Sequence, residues 1–408
     1  MGIVGAGAAG LMAARFAAVG GAEVTVFEST ADGGRKILIS GGGRCNVLPS
    51  VATPERYVTG SSPRVLRRIL RSWPLSEQRG FFEDDLGIPL RLEPETGKLF
   101  PASNRARDVR DRLVAAATEA GAERRFGVRV DGLRPPPSAG AKWRIHLAGG
   151  ETVAADRVIV ATGGLSVPKT GSDGAGLRWL ESLGHRVHEP YPALTPLTGP
   201  AAHAELAGVS LDVTIQAPGV RPRFATRGGF LFTHRGYSGP TVLDASHLAI
   251  LSRRAGGRQE LTVQWCDLDD AAWDRDLREA RSGVVGTRIA ARLPARLARR
   301  LVEEAEVPWD RGVARLTRDE RRRLARCLGS YPLPWTGDEG YKKAEVTGGG
   351  VALDQVDPGS LESRCAPGLF LCGEILDAFG PIGGHNFLWA WATGRAAGRA
   401  AAQPVKTD

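Results

Sequence analysis

Residues 2–28, GIVGAGAAGLMAARFAAVGGAEVTVFE, constrain the fold more than any other stretch of the chain. Gly5, Gly7 and Gly10 form G-x-G-x-x-G, with Ala8 and Ala9 inside the spacing. A short apolar run precedes them. An Ala-rich helical segment follows through Val19, then a Gly20–Gly21 break and a strand that ends on Glu28. A glycine pattern alone means little. Between a strand and a helix, with an acid closing the next strand, it is the context of a dinucleotide-binding unit. The glycines permit a tight turn and the approach of a pyrophosphate to a helix N-terminus. Glu28, followed by Ser29, is placed to accept hydrogen bonds from the hydroxyls of an adenosine ribose. The expected fold is therefore α/β, with a Rossmann-like parallel sheet. The first strand is short enough to allow a start upstream of Met1.

The fingerprint does not separate FAD from NAD, but two later stretches favour FAD. DRVIVATGG (156–164) is an apolar strand running into Ala161, Thr162, Gly163 and Gly164, a turn by which two-domain flavoproteins return to the FAD sheet. PGLFLCGEILDAFGPIGGHNFLWAWATGRAAG (367–398) holds a strand ending in Gly373 and Glu374, the acid being placed for a ribityl hydroxyl. Gly383, Gly384, His385 and Asn386 then open a helix expected from about Phe387. Its N-terminus would direct partial positive charge at the flavin pyrimidine edge. Val128–Val130 reads as the strand whose backbone meets adenine, with Val130 at the contact.

These residues carry a resemblance. GAGAAG, GRKILISGGGRCN, VATGGLSVPKTGSDGAGLRWLESLGH, FTHRGYSGPTVLDAS, AEVTGGGVALDQVD and GLFLCGEILDAFGPIGGHNFLWAWATG span nearly the whole chain. In them it resembles the BaiN/RdsA-like (YhiN-like) family of FAD-dependent oxidoreductases. In such a fold the segment after the Glu28 strand crosses the FAD diphosphate and reaches the isoalloxazine. Ser40, Gly41, Gly42 and Gly43 would then let backbone lie against the cofactor. Arg35, Lys36 and Arg44 would offer charge to the diphosphate or a substrate anion, and Cys45 and Asn46 would lie near the reactive edge.

The FAD-binding domain is expected to be discontinuous, 1–190 and 340–408, with a helical insertion at about 50–112 (Pro63–Trp73 and Leu75–Leu86). A mixed β/α substrate domain, 191–339, is inserted between them. A second G-x-G-x-x-G in strand–helix context is absent from the sequence, so NADPH or NADH would dock transiently rather than in its own domain. The candidates for proton work are Cys45, His234, Tyr237 and His385. Cys45 reads equally as a small buried hydrophobe, His234 as a brace for its loop and His385 as a cofactor contact.

Charge enters here because it bears on the partner. The 408 residues carry a formal net charge of +9, and of the 54 basic residues seven are lysine and 47 arginine. A G+C-rich genome accounts for such usage, but two clusters resist that account. Arg64, Arg67, Arg68 and Arg71 share a helical face, as do Arg288, Arg292, Arg296 and Arg300 at spacing four. Like charges so spaced destabilise an isolated helix, and a polyanion would relieve them. The five scattered cysteines, without CxxC, argue against a disulfide framework or metal site and for a reducing compartment. With no long apolar run and the first motif at Gly5, neither a membrane span nor a leader peptide is expected, and the location expected is cytoplasmic.

The resemblance implies a flavin-dependent reductase, and three readings follow. The chain is similar to enzymes that make dihydrouridine in large-subunit ribosomal RNA, whose partner would be that RNA. Other members act on small molecules, as amine oxidases or enone reductases. A non-catalytic flavin-binding scaffold, or an RNA-binding module that keeps FAD for structure, is the third. Whether the two arginine faces border the flavin site separates the first reading from the second.

Overall fold

Five strands of the computed structural model, which describes residues 1–138 and 140–404, pair in parallel. Their order is Leu369–Leu371, Val158–Val160, Gly2–Val4, Thr25–Glu28, Glu123–Phe126. Gly2–Val4, Val158–Val160 and Leu369–Leu371 are apolar and buried throughout, as parallel strands covered on both faces must be. Helices Ala8–Val19 and His385–Ala402 pack together through small residues. A Cβ on Gly394 would stand 2.4 Å from Ala9 O, and one on Gly398 2.4 Å from Ala13 O. The Ala- and Gly-rich composition of these two helices is thus a packing requirement, and it fixes the height of the glycine turn over the sheet.

These elements belong to one compact unit, Met1–Pro192 with Glu345–Asp408. Between the fifth and second strands of the order above lies the expected hairpin excursion. It is an antiparallel sheet of Val130–Arg134, Trp143–Leu147 and Thr152–Ala155, so the strand expected over Val128–Val130 begins at Val130. The insertion contains helices Pro63–Arg71 and Leu75–Gly80, the latter widening into a π-helical turn, Phe81–Asp85, and a small antiparallel sheet of Leu48–Pro49, Lys98–Pro101 and Leu90–Glu93. The last helix starts at His385, two residues before the expected point.

The second unit, Ala193–Ala344, is a seven-stranded antiparallel sheet with helices Pro240–Arg254, Asp270–Glu279, Val285–Ala290, Ala295–Glu304 and Arg318–Gly329. Its core holds Trp265, Trp273, Phe230 and Phe232. The expected single face of Arg288, Arg292, Arg296 and Arg300 does not exist. Leu293–Pro294 interrupts the helix, because proline clashes with a preceding turn, and the arginines sit on or beside two helices. Among the described residues no helix is long and apolar enough to cross a membrane.

Candidate active site

The three fingerprint glycines are required for different reasons. Gly5 has φ +102°, and a Cβ there would stand 2.5 Å from Ala161 O. A Cβ on Gly10 would lie 1.9 Å from Gly5 O. Gly7 has an ordinary φ of −75°, and a Cβ there would meet nothing within 4 Å. Nothing in the protein demands glycine at that point. It caps the N-terminus of Ala8–Val19, whose first turn receives no side-chain cap, so uncapped N–H groups border open space, the arrangement that receives a phosphate.

Glu28 closes the neighbouring strand. Its Oε1 accepts from Thr30 N (2.8 Å), Thr30 Oγ1 (2.8 Å) and Ser29 Oγ (3.2 Å), while Oε2 accepts only from Ala6 N (2.9 Å). Oε2 therefore keeps a lone pair for a ribose hydroxyl. Arg35 is held by Asp32 at 2.7 Å on the surface. Ala161 is buried at the end of its strand, and Thr162 Oγ1 is buried without a hydrogen-bond partner. Val130 is buried in the hairpin sheet.

Lys36 turns inward from its short helix. Its Nζ donates to Glu374 Oε2 (2.6 Å) and Ser166 Oγ (2.7 Å). Ser166 Oγ and Thr347 N both donate to Glu374 Oε1, at 2.6 and 3.0 Å. Thr347 Oγ1 accepts from Leu165 N and Ser166 N, so the turn after Gly164 is tied to the strand Val346–Val351. Gly373 N donates to Thr393 Oγ1 (2.9 Å), and Trp389 Nε1 donates to Gly373 O (3.1 Å). Glu345, which sequence reasoning passed over, immediately precedes the strand Val346–Val351. By accessible surface it is exposed. Desolvation raises its pKa, with Lys36 opposing and Glu374 adding to the effect. Nothing local in AEVTGGG marks it, since Lys36 and Glu374 come from remote positions.

Gly41, Gly42 and Gly43 are exposed and have φ of +55°, +67° and +85°. Three successive left-handed residues explain three successive glycines. The loop closes on Arg44, whose guanidinium lies 4.0 Å from the Phe100 ring centre and 3.1 Å from Glu93. Cys45 is fully buried, and burial pushes its thiol up to about 12. It has the surroundings of a packed hydrophobe, the second of the two readings its position allowed. The Asn46 amide lies where its oxygen accepts from Gly384 N (3.0 Å) and its nitrogen donates to Leu48 O (3.2 Å). The Asn386 amide spans Gly380 N and O, at 2.9 and 3.0 Å, which fixes the loop through Gly383. Phe387 stacks on Trp391 at 5.2 Å. His385 is buried, its Nδ1 has no partner, and burial depresses it to about 3, so its ring is neutral.

The remaining candidates lie in the second unit. His234 is exposed at the turn between Phe224–Thr233 and Gly236–Ser238. Tyr237 is fully buried, its hydroxyl 2.7 Å from His203 Nδ1. His203 Nε2 lies 3.0 Å from Glu304 Oε1, and Tyr331 and Arg300 both donate to the same carboxylate at 2.7 Å. Burial opposes ionisation of Glu304, but the bonds from His203, Tyr331 and Arg300 outweigh it and hold the carboxylate at about 2. Tyr237 thus belongs to an enclosed network rather than an open site.

An FAD fits the first unit. The cradle at Gly7, the spare lone pair on Glu28, the orphaned Thr162 Oγ1 and His385 Nδ1, and the second uncapped helix start at Gly384 are all of the kind the cofactor would complete.

Known proteins resemble this chain over most of its length. The model of the HI0933-like protein Rossmann domain matches residues 1–400. A 3-dehydro-bile acid Δ(4,6)-reductase of Clostridium scindens is 32% identical over 412 residues, 99% of each chain. A ribosomal RNA dihydrouridine synthase of Escherichia coli is 31% identical over 398 residues, covering 96% of this chain and 95% of that one. The solved 3-ketosteroid-Δ4-(5α)-dehydrogenase of Rhodococcus jostii superposes with a TM-score of 0.52 at 16% identity, over 99% of this chain and 96% of that one, a likeness of fold.

Proposed function

Because the chain belongs to the HI0933-like Rossmann-domain family and is, with it, an FAD-dependent oxidoreductase, we propose that it reduces a carbon–carbon double bond conjugated to a carbonyl, in a uracil of large-subunit ribosomal RNA. Dihydrouridine formation and Δ(4,6) reduction share that chemistry: a hydride goes to one carbon and a proton to its neighbour. FAD, when bound, supplies the hydride equivalent. The balance is uridine, NAD(P)H and a proton giving dihydrouridine and NAD(P)⁺, in the cytoplasm where RNA and nicotinamide meet. The nicotinamide docks transiently, consistent with the single fingerprint in the sequence.

In this reading Gly7 and the N–H groups after it bind the diphosphate, and Glu28 orients the adenosine ribose. Lys36, Ser166 and Glu374 hold the ribityl region, and the His385 helix start lies at the pyrimidine edge. Glu345, whose pKa desolvation shifts upward beside Lys36 and Glu374, is the residue assigned to deliver the proton. A neutral His385 serves as a hydrogen-bonding contact rather than an acid. The observation that carries RNA over a small enone is that Arg64, Arg68 and Arg71 of the first unit are exposed and, among the described residues, paired with no acid. The small-molecule reading is favoured by the bile-acid reductase, whose likeness covers the chain end to end.

Anaerobic stopped-flow absorbance tests both. NADPH or NADH should bleach the flavin, and RNA bearing an unmodified uridine should restore its colour. Restoration by small enones but not RNA would replace the first reading with the second.

A further inference from the structure

The helix Pro63–Arg71 is fastened to the loop that leads into His385. Tyr57 Oη donates to His385 O (2.8 Å), and Val58 N donates to Phe379 O (2.8 Å). The Thr59 and Ser61 hydroxyls donate to the buried Asp377 Oδ2, at 2.9 and 2.8 Å. At the other end Arg395 donates to Ser72 O (3.1 Å) and lies over Trp73. The bonds of Tyr57, Val58, Thr59 and Ser61 tie the segment entering the helix to the loop before the last helix.

Its apolar side, Leu66, Ile69 and Leu70, is buried. Arg67 is half-buried and pairs with Glu55 at 3.4 Å. Arg64, Arg68 and Arg71 are exposed and, among the described residues, have neither an ion-pair nor a hydrogen-bond partner for their side chains. Arg56, also exposed, stands near enough to His385 for its charge to add to the depression of that ring. Three like charges at spacings of three and four repel by a few tenths of a kcal/mol per pair. Such a face is complementary to a polyanion.

We infer that Arg64, Arg68 and Arg71, with Arg56, are where phosphates of a single-stranded ribosomal RNA segment dock, holding the strand while one uracil enters beside His385. This rests on the RNA reading above. The face contributes affinity without sequence preference, because guanidinium–phosphate contacts position a strand and do not read bases.

The test is fluorescence anisotropy of the holoprotein with a labelled single-stranded ribosomal RNA fragment, between 50 and 200 mM salt. The variant Arg64→Ala/Arg68→Ala/Arg71→Ala should bind at least tenfold more weakly, and its log–log salt slope should be shallower by about 2, at roughly 0.7 per lost phosphate contact. It should keep its flavin spectrum and Tm, which excludes misfolding. Arg292→Ala/Arg296→Ala, in the second unit, should bind within about twofold of wild type. If the triple variant binds like wild type while wild type still reduces uridine, the docking face lies elsewhere and the RNA reading survives. If wild type neither binds nor reduces the RNA, both fall. Loss of binding to anionic phospholipid vesicles with RNA affinity intact would assign the face to a membrane surface and overturn the inference.

Discussion

The two units of this chain carry arginine runs that look alike in sequence and behave oppositely in structure. In the second unit Arg288 is gripped by Asp276 at 2.8 and 2.9 Å, and Arg292 reaches the same carboxylate at 3.8 Å. Arg296 donates to Glu205 O, and Arg300 pairs with Glu304 and Glu205. In the first unit Arg64, Arg68 and Arg71 find no acid among the described residues. Two sets of buried polar groups differ in a similar way. His203, Tyr237, Tyr331 and Glu304 close a network on themselves, whereas Thr162 Oγ1, His385 Nδ1 and the Gly7 turn are left for something from outside. Charge content alone does not mark a binding surface. What marks it is charge that the fold leaves uncompensated.

The largest effect expected comes from opening the closed network. Glu304→Ala strands Arg300 and His203 in partly buried positions and should destabilise the second unit by about 3–5 kcal/mol, read by denaturant melting. An unchanged midpoint would show that the network is not structural.

At the cofactor turn, Gly7→Val should weaken FAD binding at least tenfold with little change in apoprotein stability. Gly10→Ala, which pushes a methyl into Gly5 O, should cost the apoprotein itself about 1–3 kcal/mol. Flavin-to-protein stoichiometry and apoprotein melting distinguish the two, and equal effects would remove the reason given for Gly7.

Acid should act on the second unit through Glu304. Its folded pKa lies below the unfolded value of 4.5, so its contribution is present above about pH 4.5 and is lost as pH falls toward 2. The loss amounts to about 3 kcal/mol, and Glu304→Gln should flatten that limb of the pH–stability curve. Glu345 has the opposite sign: its raised pKa favours the protonated fold, and that contribution fades as pH rises through the folded pKa. Glu345→Gln should remove the alkaline limb of the reoxidation rate while leaving flavin reduction by NADPH in place. An unaltered profile would withdraw the proton-holding role.

The smallest effect belongs to Cys45. Cys45→Ala should cost about 1 kcal/mol by trimming a buried side chain and leave turnover within a few-fold. A hundredfold loss of turnover would return Cys45 to the acid's place.

The glycine turn, Glu28, the Gly373–Glu374 turn and the GGHN helix start were legible because each is a local device: a φ, a cap or a strand end shows in neighbouring residues. The pairing state of the arginines was not. Glu205, which takes up Arg296 and Arg300, lies about ninety residues upstream, and only the folded sheet brings it there. Glu345 was missed for the same reason. Its environment is made by Lys36 and Glu374, and no periodicity in AEVTGGG reports that. Conversely, Tyr237 looked available in FTHRGYSGP because its loop context hides how deeply the hydroxyl is enclosed.

The close contact between the first and last helices has a consequence for synthesis. Ala9 and Ala13 are met by Gly394 and Gly398, and the strand beside Val158–Val160 is supplied by Leu369–Leu371. On the ribosome the strand Gly2–Val4 and the helix Ala8–Val19 therefore wait, without their covering partner, until His385–Ala402 has emerged. The contiguous stretch Ala193–Ala344 is complete well before then. Domains tend to fold as units when they are released. Cofactor capture is thus a late event in the life of each molecule, and a nascent chain stalled before residue 394 should emerge with its second unit formed and no flavin bound.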